Sequence, residues 1–230
     1  MKIDILSLFP RYFQGPFDES IIGQSRKKGL VEINLIDIRE FADNRYRKVD
    51  DRPYGGGPGM VLMPQPVTKA IRSVRTPSAR VIYLSPQGSL LTAAKCRELA
   101  VYEHLILLCG HYEGIDERVL ESEIDEEISI GDYVLTNGCL PAIVLLDAVV
   151  RFIPGVLGHE FAAEEDSFER EGIFDCPHYT RPEVFEGNAV PEVLLSGNHK
   201  KIEEWRRRKA YEKTKHVRPD LIKHKELEEF

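Results

Sequence analysis

Residues 80–110 read RVIYLSPQGSLLTAAKCRELAVYEHLILLCG, and this stretch decides the fold class. RVIYLS is a short apolar run that ends in a PQG turn, and HLILLCG is a second apolar run of strand length. Between them, TAAKCRELAVY has the character of a helix with Thr92 as its N-cap. Strand, helix and strand in this order predict two parallel strands joined by a helix.

The same alternation continues on both sides of this stretch. Upstream, KIDILSLF (2–9) and VEINLIDI (31–38) predict two strands, and PVTKAIRSV (66–74) predicts a helix. Downstream, EEISIGDYVL (126–135) predicts a strand and AIVLLDAVVRF (142–152) predicts a helix. Alternating strands and helices indicate an α/β fold, with a parallel sheet covered by helices on its faces.

The character of the sequence changes near residue 159. An acidic, weakly periodic segment follows, and after it HKKIEEWRRRKAYEKTK predicts a charged helix. The last 31 residues carry 11 Lys or Arg against 7 Asp or Glu, although the whole chain has a net charge of −7. We therefore expect an α/β domain over residues 1–158, a linker over 159–175 and a small, mostly helical domain over 176–230.

Composition excludes several classes of protein. The chain has 230 residues, 42% of them hydrophobic, which suffices for a sizeable core. An acidic chain does not coat nucleic acid by bulk charge, so any such contact needs a local basic patch. Four cysteines without a CxxC pair argue against a structural zinc site and favour a reduced, cytosolic setting.

No segment predicts export or insertion into a membrane. The N-terminus, MKIDILSLFP, is too short and too acidic for a signal peptide. The longest apolar run, Leu140 to Ile153, is interrupted by Asp147 and Arg151. This run therefore predicts a core helix rather than a membrane span.

Three glycine-containing loops follow the predicted strands: SPQG (Ser85 to Gly88), CGHYEG (Cys109 to Gly114) and IGDYVLTNG (Ile130 to Gly138). Ligands of open parallel sheets bind beyond the carboxyl ends of the strands, where these loops lie. The loops contain no basic run, so a nucleoside-like ligand, uncharged or cationic, fits better than a triphosphate. The alternative is that all three are ordinary turns.

A fourth glycine-rich segment, DDRPYGGGPGMVL (50–62), is neither of the common phosphate-binding motifs. A Walker loop needs Lys and then Ser or Thr after its last glycine, and here Met60 and Val61 follow. A dinucleotide fingerprint needs a strand before the glycines, and here a charged turn precedes them. The segment is a surface turn or a loop whose backbone approaches a ligand.

The polar candidates for chemistry each have a structural alternative. Asp147 and Arg151 lie one helical turn apart and could be an ion pair, and Asp166 could be a solvated charge or a helix cap. Glu113 could be a loop carboxylate without a role. Around RRRK, Trp205 and Tyr211 fit either a packed helix or RNA contact.

Cys176 and His178, in CPHY, do not read as a nucleophile pair. The side chains of residues i and i+2 are expected to diverge in an extended segment. A lone Cys-x-His is usually structural.

Runs over nearly the whole chain resemble the bacterial tRNA (guanine-N(1))-methyltransferase family, in the SPOUT class of trefoil-knotted methyltransferases. The runs are VDDRPYGGGPGMV, YLSPQG, CGHYEGIDER, SIGDYVL, LPA, RFIPGVLG, DSF, DCPHYTRP, VPEVLLSGNH, IEEWR and TKHVRPDL. Two departures stand out. NGCLPA, with Asn137 and Cys139, replaces the common GGELPA, and His111 replaces a common Arg.

The resemblance implies a SPOUT-type parallel sheet with a C-terminal trefoil knot, which binds S-adenosylmethionine, followed by a tRNA-binding helical domain. It implies methyl transfer to nitrogen-1 of guanosine at position 37 of tRNA. It also implies a requirement for Mg²⁺, a homodimer with shared active sites and a cytoplasmic location. The cofactor residues it implies are Tyr83, Leu84, Ser85, Pro86, Gly88, Gly110, Glu113, Ser129, Ile130, Gly131, Tyr133, Leu135, Asn137, Gly138 and Pro141.

For catalysis the resemblance implies Asp166 as the base that removes the proton from nitrogen-1, and Arg151 as the group facing the guanine carbonyl oxygen. The implied substrate contacts are Gly57, Pro58, Gly59, Ser167, Lys200, Arg206, Arg207 and Arg208. Two rival readings stay open. One is a tRNA-binding module without catalysis, and the other is a SPOUT enzyme with a different target, such as a ribose hydroxyl.

Overall fold

A computed structural model describes residues 1–158, 166–169 and 172–222. Residues 159–165 and 170–171 of the predicted linker, and residues 223–230 of the predicted tail, lie outside the described residues. The chain divides into two compact units, Met1–Glu160 and Phe161–Phe230, and each unit is described by itself.

The first unit is built on a parallel sheet. Its strands, in chain order, are β1 (Lys2–Ser7), β2 (Glu32–Asp37), β3 (Asp50–Asp51), β4 (Val61–Leu62), β5 (Ala79–Leu90), β6 (His104–Cys109) and β7 (Glu126–Ser129). Five of them form one sheet in the order β2-β1-β6-β5-β7, with every neighbouring pair parallel. The predicted parallel α/β sheet is confirmed.

Helices cover both faces of this sheet. They are α1 (Ser20–Lys27), α2 (Pro64–Val74), α3 (Ala93–Leu99), α4 (Glu117–Glu123) and α5 (Cys139–Val150), together with short 3-10 turns. Along β6, Leu105 and Leu107 enter the core cluster with α3 and α5, whereas Ile106 and Leu108 enter the cluster with α2 and α4. A strand that alternates between two apolar cores has to be apolar throughout, which explains the unbroken run LILL.

Two of the predicted boundaries are wrong. The strand predicted over 126–135 ends at Ser129, and the remaining residues form a loop. The turn predicted after Ser85 is an irregularity inside β5, because Leu84 and Ser89 both pair with Ile128 of β7. Residues on both sides of this bulge pair with β7, and residues 85–88 between them protrude from the sheet.

The second unit contains the predicted charged helix as α7 (His199–Val217), preceded by α6 (Glu192–Leu195). The Asn198 side chain accepts a hydrogen bond from the Lys201 amide and so caps the start of α7. A short hairpin of β8 (Val184–Phe185) and β9 (Asn188–Ala189) lies in the region that was expected to be mostly helical. Within the described residues, no helix is both long and apolar enough to cross a membrane.

Candidate active site

A cavity of about 340 Å³ lies where β5, β6 and β7 end, within the usual size range of small-molecule sites. Three loops surround it: loop 1 (85–88), loop 2 (109–114) and loop 3 (130–138). Of the predicted cofactor residues, those in its lining are Tyr83, Leu84, Ser85, Pro86, Gly110, Glu113, Ser129, Ile130, Gly131, Tyr133, Leu135, Asn137, Gly138 and Pro141. The three loops predicted from their glycines therefore meet at one cavity.

Gly88 is the one predicted cofactor residue outside this lining. A Cβ on Gly88 would collide with the backbone of Glu127 and Ile128 in β7. The structure thus places Gly88 where loop 1 returns to the sheet, packed against the strand that leads into loop 3.

Loops 2 and 3 are joined backbone to backbone. The Gly138 amide donates a hydrogen bond to the Gly110 carbonyl at 2.8 Å, and the His111 Nδ1–H donates to the Thr136 carbonyl at 3.2 Å. The Asn137 Oδ1 accepts from the Cys139 amide at 2.8 Å, which satisfies a donor in the first turn of α5. Two departures from the family pattern, His111 and Asn137, therefore have structural partners at this junction.

Cys139, the third departure, is a buried thiol at the start of α5, 3.2 Å from the Ser7 hydroxyl. A hydrogen bond from Cys109 outweighs burial and, with Ser7, lowers the pKa of Cys139 to about 7. Burial, then the contact with Cys139, raises the pKa of Cys109 well above its usual value. Both cysteines are neighbours in sequence of glycines that line the cavity, Gly110 and Gly138.

The charge of the cavity is negative. Among the described residues, its lining contains Glu113, Glu117 and Glu127 but neither Lys nor Arg. Burial, followed by the Glu127 charge, raises the pKa of Tyr83 to about 12, so its phenol is neutral at pH 7. Such a lining suits a ligand that carries positive charge, in agreement with the sequence-based preference against a triphosphate.

Sequence reasoning missed several lining residues, notably His111, Glu117 and Glu127. Each lies next to or within a loop that the sequence did indicate, and that proximity is their only sequence signal. Whether the side chain of Glu127, in a β-strand, faces a cavity depends on the register with β5, which no local pattern reveals.

The glycine-rich segment approaches the cavity at one point. Gly55, Gly56, Gly57 and Gly59 all have positive φ, a conformation that glycine adopts without strain. A Cβ on Gly59 would collide with the Glu113 side chain, which lines the cavity, and the Glu113 amide donates to the Met60 carbonyl at 3.0 Å. The segment thus makes a close backbone approach to loop 2.

The two predicted catalytic residues lie in different units. Arg151, half-buried, follows the last turn of α5 and is outside the lining of the cavity. Asp166, also half-buried, begins a turn in the second unit, where the Glu169 amide donates to its carbonyl at 3.2 Å. The Ser167 hydroxyl oxygen accepts from the Asp175 amide at 3.0 Å.

The predicted tRNA-contacting cations lie on α7, where Lys200, Arg206, Arg207 and Arg208 are all exposed. The buried residues of the same helix are Trp205, Ala210 and Thr214. Exposed cations clustered on one helix can contact phosphates.

The described residues do not offer a typical Mg²⁺ site. Their one group of three or more potential ligands within metal-binding reach is Asp175, Cys176 and His178. Mg²⁺ prefers an octahedron of oxygen ligands, and this group includes a thiol and an imidazole.

The fold and the cavity define an α/β protein that binds a small ligand beyond the carboxyl edge of a parallel sheet. The chain belongs to the tRNA (guanine-1)-methyltransferase family described as TrmD, whose family model matches residues 1–224. The resemblance inferred from the sequence motifs is confirmed. The family consists of tRNA methyltransferases, so the predicted enzyme class is confirmed, and S-adenosylmethionine as the donor follows from the family.

Three named relatives show how far the similarity extends. A tRNA (guanine-N(1)-)-methyltransferase of Protochlamydia amoebophila is 71% identical over 222 residues, which are 96% of this chain and 100% of that protein. Proteins with the same name from Chlamydia pneumoniae and Chlamydia trachomatis serovar D are 61% and 59% identical over 96% of this chain. The chain spans only 61% and 62% of the length of those two relatives.

We predict that Gly138→Ala disrupts the junction of loops 2 and 3. Its Cβ would lie 2.7 Å from the Gly110 nitrogen and 2.9 Å from the Cys109 Cα, so backbone has to move. We expect calorimetry to show S-adenosylmethionine binding weakened about tenfold or more, and the free energy of unfolding lowered by about 1–3 kcal/mol. Gly158→Ala is the control, because its Cβ would have no heavy atom within 4 Å. Equal effects in the two variants would contradict the prediction.

Proposed function

We propose that the chain transfers a methyl group from S-adenosylmethionine to nitrogen-1 of guanosine at position 37 of tRNA. The observation that carries the proposal is the meeting of three glycine-containing loops at one acidic cavity in a member of this family. A donor with a sulfonium centre matches the negative lining. We further propose residues 1–158 as the knotted, cofactor-binding catalytic domain, 159–175 as the linker and 176–230 as the tRNA-binding domain.

The chemistry requires a base, charge stabilisation and alignment. The donor supplies an electrophilic methyl group, but nitrogen-1 of guanine carries a proton and is a poor nucleophile until that proton leaves. In the proposal, Asp166 accepts the proton while Arg151 faces the negative charge that develops on the guanine carbonyl oxygen. The two loops that Gly138 joins hold the donor in line with nitrogen-1.

The glycine-rich segment is proposed to form the guanine entrance. The open space around Gly57 and the contact of Gly59 with Glu113 support this role, because side chains at these positions would narrow the approach to loop 2. Pro58 limits the freedom of the backbone between them. In this arrangement Glu113 faces either the donor or the guanine.

A homodimer with shared sites, in the cytoplasm, completes the proposal. Leu140 and Val144 on α5 are 43% and 46% exposed, although much of the helix is buried in the core, and the exposed Asp147 lies on the same face. A partly apolar face of this kind suits a two-fold interface. In such a dimer the linker of one subunit brings its base to the cavity of the other.

One experiment separates this function from its rivals. The protein is incubated with S-adenosylmethionine and unmodified tRNA, and the digested nucleosides are analysed by mass spectrometry. We expect 1-methylguanosine at position 37. A 2′-O-methylated nucleoside would establish the ribose-methylating alternative, and tight tRNA binding without product would establish the binding module.

We predict that Asp166→Asn lowers the rate of methyl transfer by at least about 100-fold, because it keeps the shape of the side chain and removes the base. S-adenosylmethionine affinity should stay within about twofold of wild type, since the cavity lies in the other unit. Single-turnover kinetics and calorimetry measure the two quantities. A parallel loss of donor affinity would show that Asp166 supports the pocket instead of acting as the base.

We predict that Arg206→Ala combined with Arg207→Ala weakens tRNA binding and flattens its dependence on salt. Each lost phosphate contact should reduce the slope of log K against log salt by about 0.7–0.9. Lys27→Ala with Lys28→Ala is the matched control, since it removes the same charge from exposed positions on or beside α1. A salt slope equal to that of wild type would show that α7 does not contact the phosphates.

The shared site predicts complementation between two inactive proteins. Asp166→Asn lacks the base, and Gly110→Trp fills the cavity, since even a Cβ there lies 2.7 Å from the Tyr83 hydroxyl. Random subunit exchange makes about half of the dimers mixed, each with one intact composite site, so about a quarter of wild-type activity should return. Background activity after exchange verified by native mass spectrometry would place base and cavity in one chain.

A further inference from the structure

Three residues of the second unit converge, against the expectation for Cys176 and His178. The ligand atoms of Asp175, Cys176 and His178 all lie within 4.8 Å of one another. The prediction that Cys176 and His178 point apart is wrong, because residues i and i+2 of an extended segment face the same side, and the Asp175 carboxylate lies beside both of them. Its Oδ2 is 2.7 Å from the His178 Nε2, and its Oδ1 accepts from the Cys176 amide at 2.6 Å.

The segment that carries these residues is fixed to α7 on both sides of the cluster. Before it, the Phe174 amide donates to the Thr214 hydroxyl oxygen at 2.9 Å, and Thr214 is fully buried. After it, the Tyr179 ring lies 6.2 Å from the Trp205 ring. The segment that carries the cluster is therefore held against α7 by contacts before and after it.

We propose that Asp175, Cys176 and His178 form a binding site for a zinc-class divalent cation. Thiolate, imidazole and carboxylate are the three ligand types that Zn²⁺ takes in proteins, and three protein ligands leave a fourth position for water. Tetrahedral coordination at 2.0–2.3 Å places ligand atoms about 3.4–3.7 Å apart. Contraction from 4.8 Å therefore needs a shift of about 1 Å, which the exposed His178 side chain can supply.

The charge of Asp175 favours a cation, whereas Arg206 opposes one and the Cys176 thiol has to lose its proton on binding. Burial raises the pKa of Asp175, but hydrogen bonds from His178 and Cys176 outweigh it, so that the pKa lies below its usual value. Burial, then the Asp175 charge, raises the pKa of Cys176, and Arg206 opposes this shift. Zn²⁺ displaces the thiol proton and is neutralised by one thiolate and one carboxylate. Mg²⁺ gains nothing from a thiol or an imidazole.

The site is independent of the proposed methyl transfer, but it touches the same segment. The Asp175 amide holds the Ser167 hydroxyl oxygen, one residue after Asp166. A cation at Asp175 therefore binds a residue whose amide is hydrogen-bonded to Ser167, the neighbour of the proposed base.

The test uses the full chain without an affinity tag, stripped of metal with a chelator. Calorimetry with Zn²⁺ measures stoichiometry and affinity, and Co²⁺ serves as a spectroscopic probe of thiolate ligation. We expect one Zn²⁺ per chain, a thiolate-to-cobalt charge-transfer band, and no competition from Mg²⁺ at equal concentration. Cys176→Ser should remove the band, and both Cys176→Ser and His178→Ala should weaken Zn²⁺ binding about tenfold or more.

Two controls exclude other sites. His216→Ala removes an exposed histidine of α7, and Cys139→Ser removes the buried thiol that contacts Cys109; both should bind Zn²⁺ like wild type. If Cys176→Ser does not fold, His178→Ala carries the test, because the side chain of His178 is 74% exposed. Absence of stoichiometric binding to wild type, or wild-type affinity in His178→Ala, would overturn the proposal.

Discussion

The hydrogen bond from the Gly138 amide to the Gly110 carbonyl connects the end of loop 3 to the start of loop 2. Gly138 also lies directly against the Cys109 backbone, so the start of α5 packs against the end of β6. Both loops owe their positions to this contact, and both contribute to the cavity. Because a methyl transfer depends on alignment, a backbone contact without side-chain freedom is a suitable support for the site.

Much of the first unit could be predicted from the sequence, because the physical signal is local. Apolar runs of strand length and amphipathic or apolar helices alternate from Lys2 to Val150, and the parallel sheet follows from that order. The strand order β2-β1-β6-β5-β7 could not be predicted in this way, since pairing depends on contacts between distant segments. The end of β7 was misplaced because Tyr133, Val134 and Leu135 are apolar by sequence yet largely exposed in loop 3.

The candidate site was likewise predicted where its signal is local, and not where it depends on contacts between distant segments. Glycines after strands identified the loops, and nearly all of the residues that the family motifs indicated line the cavity, with Gly88 as the exception. Gly88 closely approaches the backbone of Glu127 and Ile128, and this contact follows from the bulge in β5, which the sequence does not show. The expectation for Cys176 and His178 failed for a geometric reason, because residues i and i+2 of an extended segment face the same side, and here they meet beside the Asp175 carboxylate.

Charge is distributed differently in the two units. Glu113, Glu117 and Glu127 make the cavity attractive to a cation and unattractive to a phosphate. The exposed cations of α7 have the opposite preference. In the proposed reaction, a polyanion would contact the second unit, and a single base would have to reach the cavity without its phosphates. The glycine-rich approach to Glu113 suits that requirement, because a flat, uncharged ring can pass a surface of bare backbone where a phosphate would meet carboxylates.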